Sequence, residues 1–283
     1  MENKFTLNSS HLKIIAMLLL LIDHVGYFFV PVYGDTATLY LIMRGIGRLG
    51  FPLYAFFIVE GIFYTRNIRN YLLKILGLAL LITTVQLLVL SEPLKNYFTI
   101  EEAYNVFLTL FTGAATIAYF HLKKYRHIYL LIPVVAMIIT NTLGFFYPGD
   151  WQLILINEYR LYGIAIILGF YLARLLTQRF KENISVNYAA LNVSINSPEY
   201  TQKINNYLSS ISLLFVNLLW YILSVTQAKI DFDGFQTYSI FTGLLLLVYN
   251  GKKGYQPAWF RWVYYLYYPA HLAILAVISL IIS

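Results

Sequence analysis

The stretch LKIIAMLLLLIDHVGYFFV, Leu12 to Val30, decides how the rest of the chain is read. It is an apolar run of the length a helix needs to cross hydrocarbon, about 20 residues. Inside the run stand an acid and an imidazole, Asp23 and His24. An uncompensated charge at mid-membrane costs at least ~2.5–3.5 kcal/mol, so such groups face a bundle interior or a water-filled cavity and ask for a reason. Lys4 and Lys13 before the run mimic a secretory leader. The run is too long for a leader's apolar core and no small-residue cleavage site follows, so it reads as a retained first span.

Working outward, the same pattern recurs. Of the 283 residues, 59% are hydrophobic and 12% charged, and the mean hydropathy is +0.65. A soluble domain carries roughly a quarter of its residues as charges, so this chain has too little polar surface to meet water. A second long run, YLLKILGLALLITTVQLLVL, covers Tyr71 to Leu90. The chain has no cysteine, which excludes thiol nucleophiles, disulfides, S-palmitoylation and thiolate metal sites. Its pI of 9.3 would suggest nucleic acid in a soluble protein, but here the distribution of charge matters more, and no nucleic acid is expected.

The expected fold is an all-α, polytopic transmembrane helix bundle with about nine spans. They lie near Leu12–Val30, Leu39–Tyr64, Tyr71–Leu90, Ala103–Phe120, Ile128–Phe146, Leu161–Leu176, Tyr207–Thr226, Thr237–Tyr249 and Trp259–Ile282. The sixth and eighth are short and flanked by polar residues. The chain reads as a single integral membrane domain, 1–283, with one long polar loop at about 177–206. Cations alternate from loop to loop. The N-terminal side and the even loops hold Lys4, Lys13, Arg66, Arg69, Lys74, Lys123, Lys124, Arg126, Arg174, Arg179, Lys181, Lys203, Lys252, Lys253 and Arg261, while the odd loops hold only Lys95, Arg160 and Lys229. The acids Asp35, Glu92, Glu101, Glu102, Asp150, Glu158, Asp231 and Asp233 do the reverse. Positive-inside bias then sets the N-terminus inside and the C-terminus outside, in a multi-pass cell-membrane protein. The Asn-x-Ser sites at Asn183 and Asn192 fall inside and are not read as glycosylated.

A few ionisable groups remain within spans: Asp23, His24, Arg44, Arg48, Glu60 and His271. The topology puts Asp23, His24, Arg44 and Arg48 in the outer half of the membrane and His271 near its middle, so five of the six converge in depth. Glu60 lies near the cytoplasmic end. Asp23 and His24 point about 100° apart on a helix, which suits a division in which Asp23 pairs with an arginine and His24 faces the cavity. Arg44 and Arg48 share a helix face and repel unless an anion lies between them. A neutral histidine suits general acid–base work. The bland reading of this set is an ion-pair network that only fixes packing, and for each histidine a hydrogen-bonded packing residue; metal binding by Asp23, His24 and His271 is a further alternative, and no metal is expected. Gly45, Gly47, Gly50 and Pro52 predict close approach and a kink in the second span. Tyr264, Tyr265, Tyr267 and Tyr268 read as an interface belt, with pocket lining as the alternative. Arg66, Arg69, Lys123, Lys124 and Arg126 form a basic rim that positive-inside bias explains and a phosphate-rich ligand would also suit. There is no phosphate loop, dinucleotide fingerprint, HExxH or serine elbow.

Four blocks resemble the TraX family of membrane proteins. They are KIIAMLLLLIDHVGYFF (Lys13–Phe29), IGRLGFPLYAFFIVEGIFYTRNIRNYLLKI (Ile46–Ile75), NVFLTLFTG (Asn105–Gly113) and FRWVYYLYYPAHLAIL (Phe260–Leu275). NEYRLYGIAIILGFY (Asn157–Tyr171) departs from the family's Asp-Tyr-Gly block through Glu158 and Arg160. The resemblance implies an N- or O-acetyltransferase that takes acetyl groups from acetyl-CoA, like the wider membrane acyltransferases, whose first-span histidine matches His24. It implies an extracytoplasmic acceptor, either a pilin-like protein N-terminus or an envelope glycan. Glu60 and Asn105 join the candidates through the matching blocks. On this reading the basic rim holds the nucleotide end of acetyl-CoA, its thin arm enters the bundle, His24 takes the acceptor's proton, an arginine or freed backbone N–H steadies the oxyanion, and His271 orients the acceptor or shares the proton. An acetyl-histidine intermediate is a variant. The competing classes are a transporter or channel that uses the buried groups as a relay, and a structural partner in pilus or envelope assembly. Transporters often show paired broken spans, whereas only one broken span is visible here.

Overall fold

The computed structural model describes residues 6–30, 34–89, 105–146, 158–187, 197–226 and 234–282. Of the features read above, Lys4, Glu92, Lys95, Glu101, Glu102, Asp150, Asn192, Lys229, Asp231 and Asp233 lie outside them. The described chain is helical: α1 Ser9–Phe29, α2 Ala37–Gly47, α3 Gly50–Tyr64, α4 Ile68–Val89, α5 Val106–Leu122, α6 Ile132–Phe146, α7 Arg160–Asn187, α8 Pro198–Thr226, α9 Thr242–Leu247 and α10 Ala258–Ile282. Short 3₁₀ turns at Tyr125–Leu131 and Gly234–Phe241 lead into α6 and α9.

Six stretches are long and apolar enough to cross a membrane: Ser9–Phe29, Gly34–Tyr64, Ile68–Val85, Arg160–Glu182, Pro198–Thr226 and Ala258–Ser279. The shorter apolar helices Val106–Leu122, Tyr125–Ile139 and Phe235–Leu247 fall on the fourth, fifth and eighth expected spans. The sixth span is longer than its apolar core, because α7 runs on to Asn187, and α8 begins at Pro198. Residues 177–187 and 198–206 of the expected loop are therefore helical.

Helix α8 shows why lipid is the solvent. Its exposed residues include Ile211, Leu214, Phe215, Leu218, Leu219, Ile222 and Val225, while it buries Asn205, Asn206, Ser209 and Asn217. A helix in water would turn the other way, since a large exposed apolar face needs an apolar neighbour.

The chain forms two compact units, Met1–Tyr54 with Gly169–Ser283, and Ala55–Leu168. In the first, a short strap fixes the two helices that carry histidine. Asn8 caps α1, its Oδ1 accepting from the N–H of His11 at 3.0 Å. Leu7 pairs with Tyr249 as an isolated bridge, its N–H donating to Val248 at 2.9 Å and its carbonyl accepting from Asn250 at 2.9 Å. Ser9 N–H donates to the Lys252 carbonyl at 2.8 Å. The strap sets the start of α1 beside the loop that enters α10. At ~1.5 Å per residue, His24 stands about 22 Å up α1 and His271 about 20 Å up α10, so the two rise to one level.

The expected kink in the second span is present. α2 stops at Gly47 and α3 starts at Gly50. The Leu49 carbonyl at the break accepts from Thr242 Oγ1 at 2.8 Å. The glycines act by size: a Cβ on Gly47 would stand 2.2 Å from Asp23 Cβ, and one on Gly26 would stand 2.8 Å from Met43 Cβ. Only bare backbone lets α1 and the second span approach this closely.

In the second unit, Asn105 joins α4 to α5. It is 1% exposed. Its oxygen caps α5 by accepting from Phe107 and Leu108 N–H, at 2.9 and 3.3 Å. Its amide donates to the Ala79 carbonyl at 2.8 Å and Thr83 Oγ1 at 3.0 Å. Phe63 and His121 meet edge to face at 5.0 Å, which sets the C-terminal ends of α3 and α5 side by side.

Candidate active site

The first unit brings together all five residues read as catalytic. Asp23 and Arg44 form an ion pair, Nη1 to Oδ2, at 2.8 Å. Their side chains are 5% and 15% exposed, dry enough that each charge depends on the other. Arg44 also lies over the Tyr27 ring, 5.2 Å from its centroid, a cation–π contact that holds the guanidinium on α1. Arg48, at the end of α2, is buried. Both arginines act electrostatically on His24. The Asp23 half of the expected division is present, since Asp23 takes an arginine, and the adjacent His24 turns to another face of α1.

That face meets α10. His24 Nδ1 lies 2.7 Å from His271 Nε2. His271 Nδ1 lies 2.7 Å from the Tyr267 carbonyl. A carbonyl only accepts, so the Nδ1 proton of His271 donates to it, and Nε2 of a neutral His271 carries the lone pair. Nε2 then accepts from His24 Nδ1–H. A neutral His24 then carries its own lone pair on Nε2, and a backbone hydrogen bond also links its ring to Leu20. The contacts define an ordered chain: Nδ1–H of His24 to His271 Nε2, and Nδ1–H of His271 to the Tyr267 carbonyl.

Tyrosines enclose the pair. Tyr267 stacks on His271 at 4.8 Å. Tyr268, buried, sets its ring edge to face with His24 at 5.8 Å and His271 at 5.6 Å. Tyr264 stacks on Tyr54 at 5.1 Å. Two of the four tyrosines read as a belt, Tyr267 and Tyr268, are therefore in contact with the site's imidazoles. Lys13, three turns before His24 on nearly the same face of α1, donates to Gln256 Oε1 at 3.2 Å and lies 5.2 Å over the Tyr264 ring. The sequence reading placed Lys13 only by its charge. Its spacing from His24, eleven residues and so close to three turns, is the signal that marks it.

The remaining candidates belong to the second unit. Arg66, Arg69, Lys123, Lys124 and Arg126 are exposed, after the C-termini of α3 and α5, and Arg126 Nε donates to His127 Nε2 at 3.2 Å. Glu60 is half-buried on α3. Asn105 spends its amide on the α5 cap and the α4 carbonyl, a structural use. In the divergent block, Tyr159 is buried and its N–H donates to Thr109 Oγ1 at 3.3 Å.

Over a stretch of 76 residues the chain is 36% identical to the "Probable fimbrial assembly protein FimC, serogroup H1" of Dichelobacter nodosus. That stretch is 27% of this chain and 30% of the relative's length. No solved structure matches. The family described as TraX protein matches residues 8–279. That match covers nearly the whole length, and the chain belongs to the TraX family.

Proposed function

We propose that this protein is an acetyl-CoA-dependent membrane acyltransferase acting on the amine or hydroxyl of an extracytoplasmic acceptor. The observation that carries the reading is the polarised imidazole pair. A transporter's relay needs a group that passes protons both ways, whereas the Tyr267 carbonyl fixes one end of this pair and leaves a base at the other. The His24 Nε2 lone pair takes the proton as the acceptor's nitrogen or oxygen bonds to the acetyl carbon. The carbonyl electrons move onto oxygen beside Arg48, which supplies positive charge in a dry setting where it acts strongly. When they return, the carbon–sulfur bond breaks and the thiolate recovers a proton from the pair. His271 shares the charge while the proton resides on His24. In this reading Asp23 holds Arg44, and the exposed Arg66, Arg69, Lys123, Lys124 and Arg126 take phosphates of acetyl-CoA. The FimC relative, named for fimbrial assembly, favours a pilin-like N-terminus as acceptor over an envelope glycan. The proposed topology is nine spans with the C-terminus outside, the three shorter apolar helices completing the count, in the cell membrane.

The test is transfer by purified protein in detergent, read as coenzyme A release with a pilin-type N-terminal peptide as acceptor. The reading expects binding of acetyl-CoA and loss of release in His24→Ala. No binding, or release unchanged in His24→Ala, would overturn it. A reporter fused after Ser283 and read as cytoplasmic would remove one span.

A further inference from the structure

Tyr54 is 8% exposed, and its hydroxyl is buried with no hydrogen-bond partner among the described residues. Burying a hydroxyl unpaired is costly, and most such groups in folded proteins have a protein, water or ligand partner. The ring is not loose. It stacks on Tyr264 with an interplanar angle of 10°, and it follows the α2–α3 break within two turns. Its stacking partner Tyr264 stands one turn of α10 before Tyr267, the residue whose ring covers His271 and whose carbonyl fixes the His271 tautomer. A hydroxyl held in place by its stacked ring, with an unspent hydrogen, thus stands on the aromatic wall that runs to the histidines.

Resting on the acyltransferase reading, we propose that the Tyr54 hydroxyl donates a hydrogen bond to the carbonyl oxygen of the transferred acetyl group. Such a donor aligns the thioester for attack and strengthens its bond as charge builds on that oxygen. The bond is gained in the transition state more than in the ground state, so it acts on kcat rather than on KM.

Tyr54→Phe keeps the ring and its stack and removes one oxygen. The measurement is the infrared difference between protein loaded with acetyl-CoA and with carbonyl-¹³C acetyl-CoA, alongside steady-state coenzyme A release. The proposal expects a thioester carbonyl band lowered in frequency in the unaltered protein and returned upward in Tyr54→Phe. It also expects kcat lower by about 10²-fold with KM changed by less than about threefold. A melting temperature held or raised in Tyr54→Phe supports it, because a packing role would lower it. A carbonyl band and kcat unmoved by Tyr54→Phe overturn the proposal and leave the acyltransferase reading standing. Unaltered protein that neither binds nor turns over acetyl-CoA overturns both.

Discussion

His24 Nδ1 sits 2.7 Å from His271 Nε2, and this one contact gives the two imidazoles unequal work. A neutral His24 keeps its lone pair on Nε2, and His271 keeps His24 oriented through a lone pair that the Tyr267 carbonyl defines. His24→Ala should lower turnover by about 10²–10⁴-fold, the range of a positioned general base. His271→Ala should cost less. His271→Gln, whose amide oxygen can accept from His24 Nδ1–H, should restore part of that loss, as measured by initial rates of coenzyme A release. Equal losses in Ala and Gln would mean that His271 acts directly on substrate.

The convergence of these residues was legible from charge alone. Loop cations gave each span a direction, directions gave depths, and depths put Asp23, His24, Arg44, Arg48 and His271 together. The partner of Asp23 was not legible, because Arg44 and Arg48 share a helix face and only the ending of α2 at Gly47 separates their surroundings. Nor was the tautomer, which depends on a backbone carbonyl with no sequence signature. Tyr267 and Tyr268 carry the composition of an interface belt, and only the rotation of α10 shows that they enclose histidines. The extension of α7 and α8 into the polar stretch was not legible, because apolar runs mark hydrocarbon, not the end of a helix that continues past it.

The Asp23–Arg44 pair predicts a specific pattern of stability. Removing one partner leaves a buried charge alone, at a cost of about 3–5 kcal/mol. Asp23→Ala and Arg44→Ala should each lower the thermal midpoint in detergent strongly. The double variant Asp23→Ala/Arg44→Ala should fall less than either single change, since no orphan charge remains. Additive losses would show that the two residues act through separate partners.

Two glycines test the packing between α1 and the second span. A Cβ on Gly47 would stand 2.2 Å from Asp23 Cβ, whereas one on Gly77, in α4, meets nothing within 4 Å. Gly47→Ala must push backbones apart, and overpacking of this kind costs about 1–3 kcal/mol. Gly77→Ala adds a better helix former in open space and should be neutral or stabilising by up to about 1 kcal/mol. Thermal unfolding of the two variants side by side checks the sign of each. Gly47→Ala should also lower turnover, because Asp23 is one residue from the base.

Asn105 and the basic residues of the second unit should separate in opposite directions. Asn105 is buried and spends its amide on two helices, so Asn105→Ala should lose the α5 cap at ~1 kcal/mol and further stability from the lost bonds to the Ala79 carbonyl and Thr83 hydroxyl. Affinity for acetyl-CoA should hold. Lys123, Lys124 and Arg126 are exposed, and exposed charges add little to a fold. The triple change Lys123→Ala/Lys124→Ala/Arg126→Ala should therefore keep the melting temperature and weaken acetyl-CoA binding. The unaltered protein's affinity should also fall with rising salt, as screening predicts. Binding titrations at low and high salt, paired with melting curves, check both halves. If the triple variant binds normally and Lys13→Ala does not, the donor's phosphates are held by the first unit, where Lys13 already stands over Tyr264 on the face of α1 that leads to His24.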